Sequence, residues 1–90
     1  MFQINYTTKF KKDFKVISKR KYDLQLLKQI IALLTETGMV PERYNPHKLK
    51  GIYNDSMECH ILPDWLLIWI IDEQNNEIWL TRTGTHSDLF

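Results

Sequence analysis

Apolar and polar positions alternate from Phe2 to Thr7, with Phe2, Ile4 and Tyr6 on one side and Gln3, Asn5 and Thr7 on the other. This is the period of a half-buried strand. The period then lengthens. Phe10, Phe14 and Ile17 recur at helical spacing while Lys9, Lys11, Lys12, Lys15 and Lys19 face largely elsewhere, so a first helix is predicted from a cap at Thr7 or Thr8 to about Ser18. Asp23 is placed to cap a second helix, in which Leu24, Leu27, Ile30, Ile31 and Leu34 form a wide apolar stripe until Gly38 ends it. Two helices joined by a short basic turn form a hairpin whose apolar face needs a sheet to cover.

Residues 39–50, with two prolines and no sustained period, read as a loop that carries His47 and ends near Gly51. Strand signals return around Ile52 and Tyr53, at Met57 to Leu62, at Trp65 to Asp72 and at Glu77 to Thr85. The polar run from Asp72 to Glu77 marks a tight hairpin turn between the last two. From Trp65 to Ile71 every side chain is apolar, the pattern of a strand buried on both faces. The predicted order is β-α-α-β-β-β: one two-layer α+β domain over residues 1–90, with a mainly antiparallel sheet and both helices on one face.

Composition adds a strong asymmetry. Residues 1–50 hold eleven of the twelve Lys and Arg with four acids, and residues 51–90 hold one Arg with seven acids, so the halves carry about +7 and −6. Seven of the basic residues lie between Lys9 and Lys21, either a solvated helix face or a footprint for a polyanion. No apolar run approaches the ~20 residues of a membrane span, and the first residues lack the apolar segment of a signal peptide. The single Cys59 forms no internal disulfide, which suits a reducing cytoplasm, and beside Ile61 it reads as a buried, inert thiol.

Candidate chemistry gathers where the polar corner E-C-H-I-L-P-D meets the apolar run. Glu58, His60 and Asp64 fall within seven residues, and Pro63 prevents this stretch from continuing as one ladder-paired strand. Parity along the last strand puts Ile78, Leu80, Arg82, Gly84 and His86 on one face, with Arg82 and His86 near the rim that faces Asp64. His47, His60, Asp64, Arg82 and His86 would then converge. Such a set suits cleavage of RNA through its own 2′-hydroxyl, which needs a base, an acid and positive charge on the phosphorane. Histidine serves either proton transfer near neutral pH, and arginine matches phosphate oxygens. The bland alternative for Arg82 is a salt bridge to Glu58, Asp64 or Glu77. The three His and Asp64 also supply metal-binding atoms, but no compact ligand spacing supports a metal site. Phe90 either stacks on a base or fastens the tail, and Trp65, Trp69 and Trp79 read as core.

The strings H-K-L-K-G from His47, E-C-H-I-L-P-D-W-L-L-I-W from Glu58 and R-T-G-T-H-S-D-L-F from Arg82 resemble the RelE superfamily of bacterial type II toxin-antitoxin toxins. Within it they resemble the YafQ-type mRNA interferases, and with the element order the resemblance covers the whole chain. It implies a RelE-like fold and a ribosome-dependent endoribonuclease that enters the 70S ribosome A site and cuts mRNA without a metal or cofactor. It further implies a cognate antitoxin that wraps the toxin, operator DNA bound by the complex, and a cytoplasmic location. His47, His60, Asp64 and His86 match the family's catalytic positions, and Phe90 matches its terminal aromatic. On that resemblance His86 is the general acid and Arg82 stabilises the transition state. The base lies among His60, Asp64 and His47. Lys9, Lys11, Lys12, Lys15, Lys48 and Lys50 would grip RNA by phosphate contacts.

One position departs from the pattern: relatives often carry Arg where this chain has Met57, which leaves phosphate binding more dependent on Arg82. A non-cleaving module of the same fold, docking on a ribosome or an antitoxin, is the alternative reading. A metal-dependent hydrolase ranks third.

Overall fold

A computed structural model describes residues 1–90. Strand β1 (Gln3–Tyr6) leads into α1 (Thr8–Lys19) and α2 (Leu24–Thr37). They are followed by the short strand β2 (His47–Lys48), then β3 (Met57–Leu62), β4 (Trp65–Asp72), β5 (Glu77–Gly84) and a single helical turn, α3 (His86–Leu89). The sheet runs β1-β5-β4-β3-β2; β1 pairs parallel to β5 and every other pair is antiparallel. The two-layer α+β architecture is therefore as the sequence predicts, with two short elements added.

Caps fix the helices where the sequence puts them. The Thr7 hydroxyl accepts from the backbone N–H of Phe10, and the Asp23 carboxylate accepts from that of Gln25. Gly38 closes α2 at φ +72°, the left-handed conformation that a terminal glycine adopts without strain.

The helices and the sheet enclose one large cluster that includes Phe10, Ile17, Leu27, Leu34, Trp65 and Trp69. Burying a side chain of this size contributes about 1.5–3 kcal/mol, so most of the fold's stability resides here. Alternate residues of β4 face the other way: Leu66 and Ile68 join Leu89 of α3, with Leu49 and Tyr53 packed against them. Both faces of β4 are buried from Trp65 to Trp69, and the burial ends at Ile70, which is 38% exposed. That end of the open sheet face is uncovered. Trp79, opposite Ile70 on β5, is likewise 39% exposed rather than core.

Three expectations are corrected. Ile52 and Tyr53 form no strand; they belong to a 3-10 turn over Gly51–Tyr53, which reverses at Gly51 with φ +73°. Residues His47 and Lys48, expected in a loop, pair with Glu58 and Met57. The parity of β5 also breaks, because Ile68 pairs with Arg82 while Trp69 pairs with Leu80, leaving Thr81 as an extra residue in a bulge. Leu80 and Arg82 consequently lie on opposite faces of the sheet.

Candidate active site

The open face of the sheet carries a row of rings built from four segments. Glu58 and His60 point to this face because Cys59 and Ile61 fill the core on the other. Pairing of His47 with Glu58 across β2 and β3 brings in a second imidazole, whose ring centre lies 6.1 Å from that of His60. The His86 ring lies 5.8 Å beyond His60, Phe90 is 6.4 Å from His86, and Tyr53 is 5.2 Å from Phe90. Three histidines far apart in sequence thus form one surface.

His86 does not ride on a strand. It opens α3, whose start is fixed by a reciprocal cap: the Thr85 hydroxyl accepts from the Asp88 N–H, and the Asp88 carboxylate accepts from the Thr85 N–H. Arg20 grips the same carboxylate with two guanidinium nitrogens at 2.7 and 3.1 Å. Its guanidinium, together with the Thr85 bond, holds Asp88 well below the usual carboxylate range. A Cβ on Gly84 would meet that carboxylate oxygen at 2.9 Å, so glycine lets the cap sit this close. The other end of the turn is pinned by buried Leu89, whose carbonyl accepts from the Tyr53 hydroxyl at 2.9 Å.

Hydrogen bonds assign the tautomers, since a carbonyl accepts only from N–H. Asp64, in the turn after Pro63, accepts from the backbone N–H of His86 at 3.0 Å and from its Nδ1 at 2.7 Å. Those bonds, the backbone one first, hold the Asp64 carboxyl below its ordinary value. That leaves Nε2 as the other ring nitrogen of His86, on a side chain 55% exposed. His60 Nδ1 donates to the Pro63 carbonyl at 3.3 Å and His47 Nδ1 donates to that of Asn45 at 2.8 Å. Glu58, nearly buried, sits between the two, with Oε1 3.0 Å from His47 Nε2 and 3.9 Å from His60 Nε2.

His47, His60, Asp64, His86 and Phe90 are therefore brought together. Arg82 is held apart. Its guanidinium makes a forked pair with Asp13 of α1 at 2.7 and 3.1 Å and reaches Tyr53 Oη at 3.4 Å. Asp13 also accepts from the Thr83 N–H at 3.1 Å, replacing a strand partner where β1 has ended. None of the three acids that the sequence offered for a salt bridge is the partner. The pair keeps Arg82 firmly charged, and its link to the row runs through Tyr53.

The lysines divide as well. Lys9 lines a groove with Tyr53, Thr81 and Arg82, beside the ring row. Lys11 and Lys15 instead border an apolar groove between the helices with Lys28. Lys12, Lys48 and Lys50 are exposed. Cys59 is fully buried, and desolvation pushes its thiol up to about 12. No three His, Cys, Asp or Glu side chains meet in an arrangement that would hold a metal ion.

Asp13, Tyr53 and Glu58 were not assigned to the site from sequence. Glu58 alone left a signal there, as a carboxylate sharing its strand face with His60.

A small domain with an imidazole row on the open face of its sheet, beside a capped C-terminal turn, defines a class of site suited to proton transfer. The chain belongs to the YafQ family, bacterial toxins of type II toxin-antitoxin systems, whose model matches residues 2–90. The mRNA interferase toxin YafQ of Escherichia coli K12 is 34% identical over 88 residues, 97% of this chain and 94% of that protein. Among solved structures, a metal-bound toxin from Helicobacter pylori superposes with a TM-score of 0.91 at 40% identity over all of both chains. The toxin of the E. coli DinJ-YafQ toxin-antitoxin complex superposes at 0.87 with 34% identity, covering 99% of this chain and 97% of that one.

Proposed function

We propose that this YafQ-family toxin cuts translated mRNA on the ribosome by acid-base catalysis through the RNA's own 2′-hydroxyl. It is an endoribonuclease of the mRNA interferase kind. The observation that carries the reading is the Asp64–His86 bond at 2.7 Å beside a second imidazole with an unengaged nitrogen.

Hydrogen bonding supports His60 as the base. Asp64 is engaged twice by His86, and both nitrogens of His47 face acceptors. His60 has Nδ1 fixed on a carbonyl, and its Nε2 is 3.9 Å from the nearest carboxylate oxygen. His60 Nε2 takes the 2′-OH proton, the 2′-oxygen bonds to phosphorus, and a pentacoordinate phosphorane forms. The P–O5′ bond then breaks as His86 Nε2 gives its proton to the departing oxygen. The products are a 2′,3′-cyclic phosphate and a 5′-hydroxyl end. Asp64 faces the charge that the His86 ring carries while it holds both protons. Phe90, 62% exposed between His86 and Tyr53, stacks on a base of the message, and Lys9 and the other lysines hold RNA phosphates. Arg82 contributes charge at longer range while bracing α1 against β5.

A cognate antitoxin neutralises the toxin, as the DinJ-YafQ complexes of relatives support, and operator DNA is bound by that pair. No helix is long and apolar enough to cross a membrane, and translating ribosomes locate the activity in the cytoplasm. The reaction is written with side chains alone. Transcriptome-wide mapping of 5′-hydroxyl ends after brief induction tests it. New ends at fixed codon positions with the wild type but not with His86→Ala are expected; growth arrest by both proteins without new ends would leave a non-cleaving module.

A further inference from the structure

Two of the three arginines are clamped by aspartates, Arg20 by Asp88 and Arg82 by Asp13. The third, Arg43, makes no salt bridge. Its guanidinium lies over the Tyr44 ring, 4.8 Å from the centroid, and donates to the Tyr44 hydroxyl at 3.3 Å. Tyr44 in turn packs against the core, so an exposed cation is stacked on an anchored ring. The backbone beneath it is a 3-10 turn over Glu42–Tyr44, closed by bonds from the Tyr44 N–H to the Pro41 carbonyl and from the Asn45 N–H to that of Glu42.

This turn packs against β3, and the two share a groove of about 310 Å³ lined in part by Arg43, Tyr44, Asn45, His60, Leu62 and Pro63. Pockets that hold a small ligand begin at about 300 Å³. No Asp or Glu lines the groove, so nothing in it competes with an anion for the guanidinium. Two of its walls also orient the imidazole row: the Pro63 carbonyl holds His60 Nδ1, and the Asn45 carbonyl holds His47 Nδ1.

We propose that this groove is a subsite for the nucleotide next to the cleaved bond, with Arg43 forked on a phosphate that flanks the scissile one and Leu62 and Pro63 against the ribose and base. The assignment rests on the nuclease reading, which puts His60 at the reacting 2′-hydroxyl. His60 belongs both to the ring row and to the wall of the groove, so an RNA strand that meets its ring continues into the groove. Arginine presents planar donors that match phosphate oxygens, and stacking on Tyr44 orders that plane before RNA arrives. Arg82 is committed to Asp13, Lys9 lines a separate groove beside Tyr53, and Met57 packs against the core. Leu62, 44% exposed, gives the groove an apolar side.

The test uses ribosomes programmed with mRNAs in which one phosphate at a time, on either side of the cleavage position, is replaced by an uncharged methylphosphonate. Wild type, Arg43→Gln and Arg43→Lys are compared by single-turnover cleavage, and by binding to the same mRNAs blocked with a 2′-O-methyl group at the cut. Arg43→Gln should raise the half-saturation about tenfold, the scale of one charged hydrogen-bonded contact, with a smaller fall in the rate at saturation. Arg43→Lys should recover part of that loss, and melting temperatures should not move, because Arg43 is exposed. At one flanking position the methylphosphonate should cost the wild type about tenfold and Arg43→Gln nothing further, since both changes remove the same contact. Equal penalties for the two proteins at every position would overturn the proposal, as would an unchanged half-saturation in Arg43→Gln. Coupling of Arg43 to one phosphate in the binding measurement, with no cleavage of the unblocked mRNA, would keep the subsite and sink only the nuclease reading.

Discussion

One oxygen of Asp64 receives both the backbone N–H of His86, at 3.0 Å, and its ring Nδ1, at 2.7 Å. The turn after β3 thereby fixes the position and the tautomer of a residue 22 positions later, at the entry of α3. The Pro63 carbonyl in the same turn orients His60. A proline that stops the strand therefore serves two imidazoles.

Asp64→Ala should reduce the single-turnover cleavage rate by about 10²–10⁴-fold, close to the loss for His86→Ala, with the double variant little worse than either. Thermal melts should move little, since both side chains are more than half exposed. Additive losses in the double-variant cycle would show that the two act separately.

Asp13→Ala and Arg82→Ala are expected to act on stability first. Each strands a charged partner in a partly buried position, and Asp13 also satisfies the Thr83 N–H, so about 1–3 kcal/mol should be lost. In a chain of this size that lowers the melting temperature by at least about 4 °C. Arg82→Ala with an unchanged melt and abolished cleavage would instead assign Arg82 a direct catalytic role.

The depressed carboxyls of Asp64, Asp72 and Asp88 set the response to acid. Each binds a proton less readily folded than unfolded, so its stabilisation is present above the unfolded value of about 3.9 and is lost as pH falls through the folded one. Melting temperature should be level near neutrality and decline below about pH 4. Asp88→Asn keeps acceptor oxygen for the cap but loses the charge facing Arg20, so its melts should be lower at pH 7 and fall less steeply in acid. Equal slopes for the two proteins would dismiss the Arg20–Asp88 pair as the source.

Cleavage written with side chains alone should survive 1,10-phenanthroline, which removes transition metals and leaves the magnesium that ribosomes need. Loss of activity restored by one added metal would overturn that mechanism, a pointed test given the metal-bound relative.

Much of the fold was legible because periodicity is local. The alternation of Phe2 to Tyr6, the stripe of Leu24 to Leu34 and the caps at Thr7, Asp23 and Gly38 each act within a few residues, and the structure places all of them as read. The row of His47, His60 and His86 was legible through motif spacing, although nothing local fixes their contact. Arg82 was expected on the face of Leu80 because parity counts residues, and a single bulge residue, Thr81, reverses every later side chain; it stands apart from the row because Asp13 of α1 holds its guanidinium.

The sequence by itself determined the elements, the core stripes and the identity of the titratable groups, since propensity, capping and burial follow from short-range pattern. The tertiary structure alone decided the partners: Asp13 for Arg82, Asp64 for His86, and Glu58 between His47 and His60. Such pairings depend on strand register, on a bulge and on where α3 is capped. The chain settles these only when distant segments pack, because a hydrogen bond needs its two atoms within about 3 Å of each other.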